Sequence, residues 1–104
     1  MSHRVSSTIW VSLVLATQTA HPVLADVAKG AQIAQVWCAS CHVVSANPTG
    51  AVPQGPPTFR SVAHSGMSPD QLRAFLSHPH GSMPDLALTR AEIDDLISYI
   101  ESLR

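Results

Sequence analysis

Val36-Trp-Cys-Ala-Ser-Cys-His-Val-Val44 holds both cysteines of the chain, Cys38 and Cys41, with His42 directly after the second. Thiols at this spacing serve as a redox disulfide, as half of a zinc site, or as anchors of a cofactor, and each use needs different company. A thiol–disulfide oxidoreductase sets its first cysteine at a helix N-terminus, after a strand, where the helix dipole lowers the thiol pKa. Trp37 gives the motif that look, but the residues from Asp26 onward are patterned as a helix and offer no strand. A closed zinc site takes four N or S ligands, normally as two separated pairs, and the second pair is missing. A purely structural disulfide across so short a loop constrains the chain little.

Upstream, Arg4 precedes the apolar run Ile9-Trp-Val-Ser-Leu-Val-Leu-Ala16. A polar stretch with Pro22 follows, then Val23-Leu24-Ala25 before Asp26. These are the three regions of a secretory signal, with cleavage expected after Ala25. The run falls well short of the ~20 residues of a membrane-spanning helix. No cysteine at position 26 offers a site for a lipid anchor. The expected organisation is therefore a signal peptide over residues 1–25 and one domain over residues 26–104. That domain carries five basic and seven acidic residues, a net charge of −2 with histidines neutral. Nucleic-acid binding requires clustered Lys and Arg, so this balance excludes it. With Trp37, Phe59, Phe75 and Tyr99 as its only aromatic residues, the domain is too small to build a sufficient core from side chains alone. Something else has to fill its interior.

Helical signals alternate with loops along the domain. Asp26 can cap a first helix carrying Val27, Ala31, Ile33 and Ala34. Val43 to Thr58 contains four prolines and two glycines and is expected to be irregular. Ser68 as cap and Pro69 at the first helical position open a second helix, with Leu72, Phe75 and Leu76 on one face. His78-Pro79 closes it. Thr89 and Glu92 form a capping box for a third helix, whose apolar stripe runs through Ile93, Leu96, Ile97, Ile100 and Leu103. The expected fold class is small and all-α.

Cys-x-x-Cys-His is the attachment signature of c-type haem. The two thiols add across the two porphyrin vinyl groups, the intervening residues span the distance between them, and the adjacent histidine is placed on the iron. Export to an oxidising compartment and the need for a core-filling body both point the same way. The second axial ligand must come from Met67, Met83, His64, His78 or His80. Met83 lies in the loop between the second and third helices, and Pro84 restricts its backbone to an extended form, which suits a thioether aimed at a metal. Met83 is the expected ligand, with His78 and His80 as alternatives; Met67 is expected to pack.

On these residues the sequence resembles the class I c-type cytochromes, over essentially the whole of Asp26 to Arg104. Gly30 stands eight residues before Cys38, where the family has a glycine that lets the C-terminal helix cross closely against an aromatic, matched by Tyr99. Gly55-Pro56 matches the family's Gly-Pro, and Met83-Pro84 its Met-Pro. The resemblance implies that the Pro56 carbonyl accepts the outer nitrogen proton of His42, orienting the ring and raising its basicity. It implies a small cytochrome c fold, three main helices wrapped around one covalently bound haem c, with Cys38 and Cys41 as attachment points and His42 and Met83 as axial ligands. Two departures stand out: Ala34 is small for the helix crossing, and Lys29 is the only lysine. Arg60 and Arg73 are candidates for the haem propionates by charge alone.

The function expected is that of a periplasmic electron carrier without enzymatic activity, monomeric, meeting other periplasmic redox proteins through transient contacts. The competing expectation is a haem c electron-transfer subunit of a periplasmic dehydrogenase or oxidase complex. A peroxidase-like or ligand-sensing haem would require Met83 to leave the iron.

Overall fold

The computed structural model describes residues 24–50, 54–78 and 81–104. The signal peptide expected over residues 1–25 lies almost wholly outside them. Among the described residues there are helices and no strands.

Helix α1 spans Val27–Ile33 and is capped by Asp26, whose carboxylate accepts from the Lys29 amide at 3.1 Å. It runs on into a wider turn over Ala34–Cys38, closed by the Ala39 amide on the Ala34 carbonyl at 3.0 Å. Such five-residue turns are uncommon and gather at functional sites, because they re-aim the residues that follow. Helix α2, Phe59–Ala63, is a single short turn capped by Thr58. The sequence reading did not anticipate it. Helix α3, Pro69–Leu76, begins as expected at Ser68 and Pro69, and its cap is a full capping box with Gln71. Helix α4, Arg90–Glu101, begins at the expected capping box of Thr89 and Glu92.

The main packing contact is α1 across α4. Gly30 makes it possible. A Cβ added there would sit against the Asp95 backbone carbonyl and 2.8 Å from Tyr99 Cβ, so only a bare Cα fits. Ile93, Leu96, Ile97 and Ile100 of α4 are buried, and Leu96 is fully enclosed. Ala34, Cys38, Val44, Phe59, Ala63, Leu72 and Leu103 complete the core. Arg73 links α3 to α4 through Asp94 at 2.8 Å while also holding Asp70 at 2.6 Å. The chain end folds back onto α2, the Arg104 guanidinium donating to the Ala63 carbonyl at 3.2 Å.

Candidate functional site

The turn that follows α1 presents the cysteine motif. The amides of Cys41 and His42 both donate to the Cys38 carbonyl, at 3.2 and 2.9 Å, which curls the backbone so that both thiols and the imidazole border one cleft. Cys38 is buried and Cys41 exposed, and no disulfide joins them. Burial pushes the Cys38 thiol above its ordinary pKa. That is opposite to the lowered value a nucleophilic redox cysteine needs. Among the described residues, no three or more His, Cys, Asp or Glu are grouped so as to hold a metal ion.

His42 is fixed from two sides. Its Nδ1 lies 2.7 Å from the Pro57 carbonyl oxygen, which can only accept, so Nδ1 carries the proton and Nε2 keeps its lone pair. The expectation that Pro56 supplies this carbonyl is corrected: the acceptor is the second proline of the run. The Phe59 amide donates to Val43 at 3.0 Å and sets the register between the two segments. With Phe59 beside Val43, the carbonyl next to the imidazole is that of Pro57. The Phe59 ring then packs against the imidazole with centroids 5.6 Å apart and against Tyr99 at 6.4 Å. The Tyr99 hydroxyl donates to the Val44 carbonyl at 2.6 Å. A continuous run of rings and hydrogen bonds thus ties His42 to α4.

The cleft has a volume of about 380 Å³, within the range of cofactor-sized pockets, roughly 300–1,000 Å³. Cys38, Cys41 and His42 border it, and so does Met83, in the segment leading to α4. Phe59, Val62, Leu72, Leu76 and Ile100 supply apolar walls, and Trp37 and Phe75 stand at its margin, about half exposed. No Asp, Glu, Lys or Arg is among the described residues lining it. Two thiols, an imidazole with a free nitrogen, a thioether and a mostly apolar cleft make up the donor set and surroundings that a covalently held haem takes.

Of the other candidates, Met67 packs against the core and does not line the cleft, as expected of it. His64 is turned to the Arg60 carbonyl at 2.8 Å at the end of α2. His78 is exposed at the end of α3, its Nδ1 3.0 Å from the Ala74 carbonyl oxygen. His80 lies outside the described residues. Arg73 is engaged by Asp94 and Asp70, and Arg60 reaches the Ala46 carbonyl at 3.5 Å; neither lines the cleft. Sequence reasoning missed the role of Phe59 in bracing His42. Thr58 just before it, a good helix cap three residues ahead of Ser61, was the available signal.

Comparison with known proteins agrees with this geometry. Residues 25–100 match the family described as cytochrome c oxidase, cbb3-type, subunit III. A curated protein, cytochrome c-552 of Bradyrhizobium diazoefficiens, is 41% identical over 97 residues, covering 92% of each chain. No solved structure matches. With the family spanning nearly all of the folded part, and an all-α fold around an apolar cleft bordered by Cys-x-x-Cys-His, the chain belongs to this cytochrome c family: it is a class I c-type cytochrome, an electron-transfer protein with covalently bound haem c.

Proposed function

We propose that Cys38 and Cys41 form the two thioether bonds to the haem, that His42 Nε2 and Met83 Sδ are its axial ligands, and that the protein is a freely diffusing periplasmic carrier of single electrons. The observation that carries the ligand assignment is one cleft bordered both by the Cys38–His42 turn and by Met83. Bound there, the haem supplies one-electron ferrous–ferric chemistry. The residues around it supply the rest. Pro57 holds the imidazole in one tautomer and increases electron donation from Nε2. A soft thioether opposite favours the ferrous form and raises the potential above that of a bis-histidine site. The apolar walls of Phe59, Leu72, Leu76 and Ile100 keep water away. With both axial positions filled, none is left for a substrate, so no catalysis is assigned.

Export follows from the signal over residues 1–25 with cleavage after Ala25. The free carrier, rather than a fixed subunit, is read from the surface of this chain around the cleft. Its cleft margin carries Trp37 and Phe75 but no charged residue among the described ones, which suits brief, weakly steered encounters with redox partners.

The test is the absorption spectrum of the exported protein, oxidised and reduced, for the wild type and Met83→Ala. The expected result is haem that survives denaturation and a weak far-red ferric band in the wild type. In Met83→Ala that band is lost, the potential falls and the reduced form binds carbon monoxide. Covalent haem without the far-red band in the wild type removes Met83 and moves the ligand to His78, His80 or an open site, whereas a band unchanged in Met83→Ala moves it to Met67. Stoichiometric co-purification with an oxidase or dehydrogenase would replace the free carrier by a subunit. A steep fall of transfer rate with ionic strength would refute uncharged docking.

A further inference from the structure

Among the described residues, Asp26 is the first that the fold holds. Leu24 is 84% exposed and Ala25 is exposed, whereas three contacts fix Asp26. Its carboxylate accepts from the Lys29 amide at 3.1 Å and its carbonyl from the Gly30 amide at 2.9 Å. Its own backbone nitrogen donates to Asp95 Oδ1 at 2.7 Å, a partly buried bond between residues 69 positions apart. Capping accounts for the first two. The third does not belong to α1; it reaches across the α1–α4 contact to the residue whose backbone Gly30 touches.

That nitrogen is also the atom that signal cleavage after Ala25 would release. We propose that maturation converts this bond into an ion pair, so that the new N-terminal ammonium of Asp26 locks α1 onto α4 through Asp95. Hydrolysis of the Ala25–Asp26 bond breaks C–N. Water gives its hydroxyl to the Ala25 carbonyl carbon and a proton to the Asp26 nitrogen, and the released amine is protonated near neutral pH. A neutral donor facing the Asp95 carboxylate becomes a charged one at the same place, and charge-assisted hydrogen bonds are the stronger kind. The lock forms at the crossing that positions Cys38, at the far end of the same helical run, so a correctly trimmed N-terminus holds the cysteine turn more firmly than the precursor does.

This inference rests on cleavage after Ala25, and the experiment separates the two. The intact mass of the exported holoprotein is measured first; a start at any residue other than Asp26 overturns the cleavage site and the lock with it. With a start at Asp26, the α-amine is acetylated at slightly acidic pH, where Lys29, the only lysine, reacts slowly. Guanidinium unfolding is then followed through haem absorbance for wild type and Asp95→Asn, acetylated and not. Acetylation is expected to lower the wild-type folding equilibrium constant about two- to five-fold, the size of a partly exposed ion pair. It should leave Asp95→Asn unchanged, since asparagine keeps an acceptor but no charge. An equal loss in both backgrounds, or none in either, overturns the lock while leaving the cleavage site standing.

Discussion

Gly30→Ala tests the geometry of the α1–α4 crossing on which the site depends. The added methyl group would meet the Asp95 carbonyl carbon at 2.6 Å and Tyr99 Cβ at 2.8 Å. Ordinary carbon contacts lie at ~3.5–4.0 Å, so the helices must part by about 1 Å. The nearest atoms are backbone and Cβ, which cannot swing aside, so the cost belongs at the upper end of overpacking, about 3 kcal/mol. Alanine recovers about 1 kcal/mol of helix propensity over glycine. The net loss of about 2 kcal/mol corresponds to a fall in Tm of about 8–16 °C for a domain of this size. The assay is thermal and guanidinium unfolding of the holoprotein, followed by helix ellipticity and haem absorbance. Gly66→Ala provides the contrast. That glycine sits at φ +81° with open space around it, so its cost is backbone strain alone, about 1 kcal/mol. A Gly30→Ala protein as stable as the wild type, or more so, would mean that propensity outweighs the contact and would refute the close crossing.

Further outcomes follow from single bonds. Tyr99→Phe keeps the ring against Phe59 but leaves the carbonyl of buried Val44 without its donor, and should lower stability by about 1–2 kcal/mol in denaturant titration with little change in the haem spectrum. A loss much below that would mean water replaces the hydroxyl. Hydrogen bonding from the Thr89 backbone amide, and then from its hydroxyl, holds the Glu92 carboxyl below its ordinary pKa. A folded pKa below the unfolded one, about 4.3, means the stabilisation is present above that pH and is lost as pH falls through the folded value. Acid titration of Glu92→Gln should show a shallower pH dependence between about pH 5 and 3 than the wild type, and an identical slope would remove the carboxylate from the cap. Arg73 and Asp94 are each about a third exposed. A double-mutant cycle across this α3–α4 pair should return no more than about 1 kcal/mol, and a larger coupling would show the pair to be drier than its exposure implies.

Much of this protein was legible in the sequence because its signals are local. Asp26, Ser68 and Thr89 announce helix starts by side chains that bond backbone amides three residues on, and each does so. Gly30 and Tyr99 were matched through the resemblance to the cytochromes, and the crossing they imply is built here. The Cys38–His42 spacing is chemistry written in consecutive residues, so the haem motif needed no structure to be seen. The α2 turn was missed because five residues carry too little periodicity to register, and what holds it is tertiary: Phe59 is buried between His42 and Tyr99. The histidine's partner was read one residue early for a similar reason. Both Pro56 and Pro57 offer a carbonyl, and nothing in the order of residues separates them. The choice is made by the Phe59 amide on Val43, a bond between segments sixteen positions apart. The sequence alone determined the Cys-x-x-Cys-His motif and where α1, α3 and α4 begin. The tertiary structure alone decided that the Cys38–His42 turn and Met83 border one cleft, that His64 and Met67 are occupied elsewhere, and that the Asp26 nitrogen meets Asp95. Caps and motifs are fixed by neighbours along the chain, whereas a cleft and a long-range bond exist only once α1 has crossed α4.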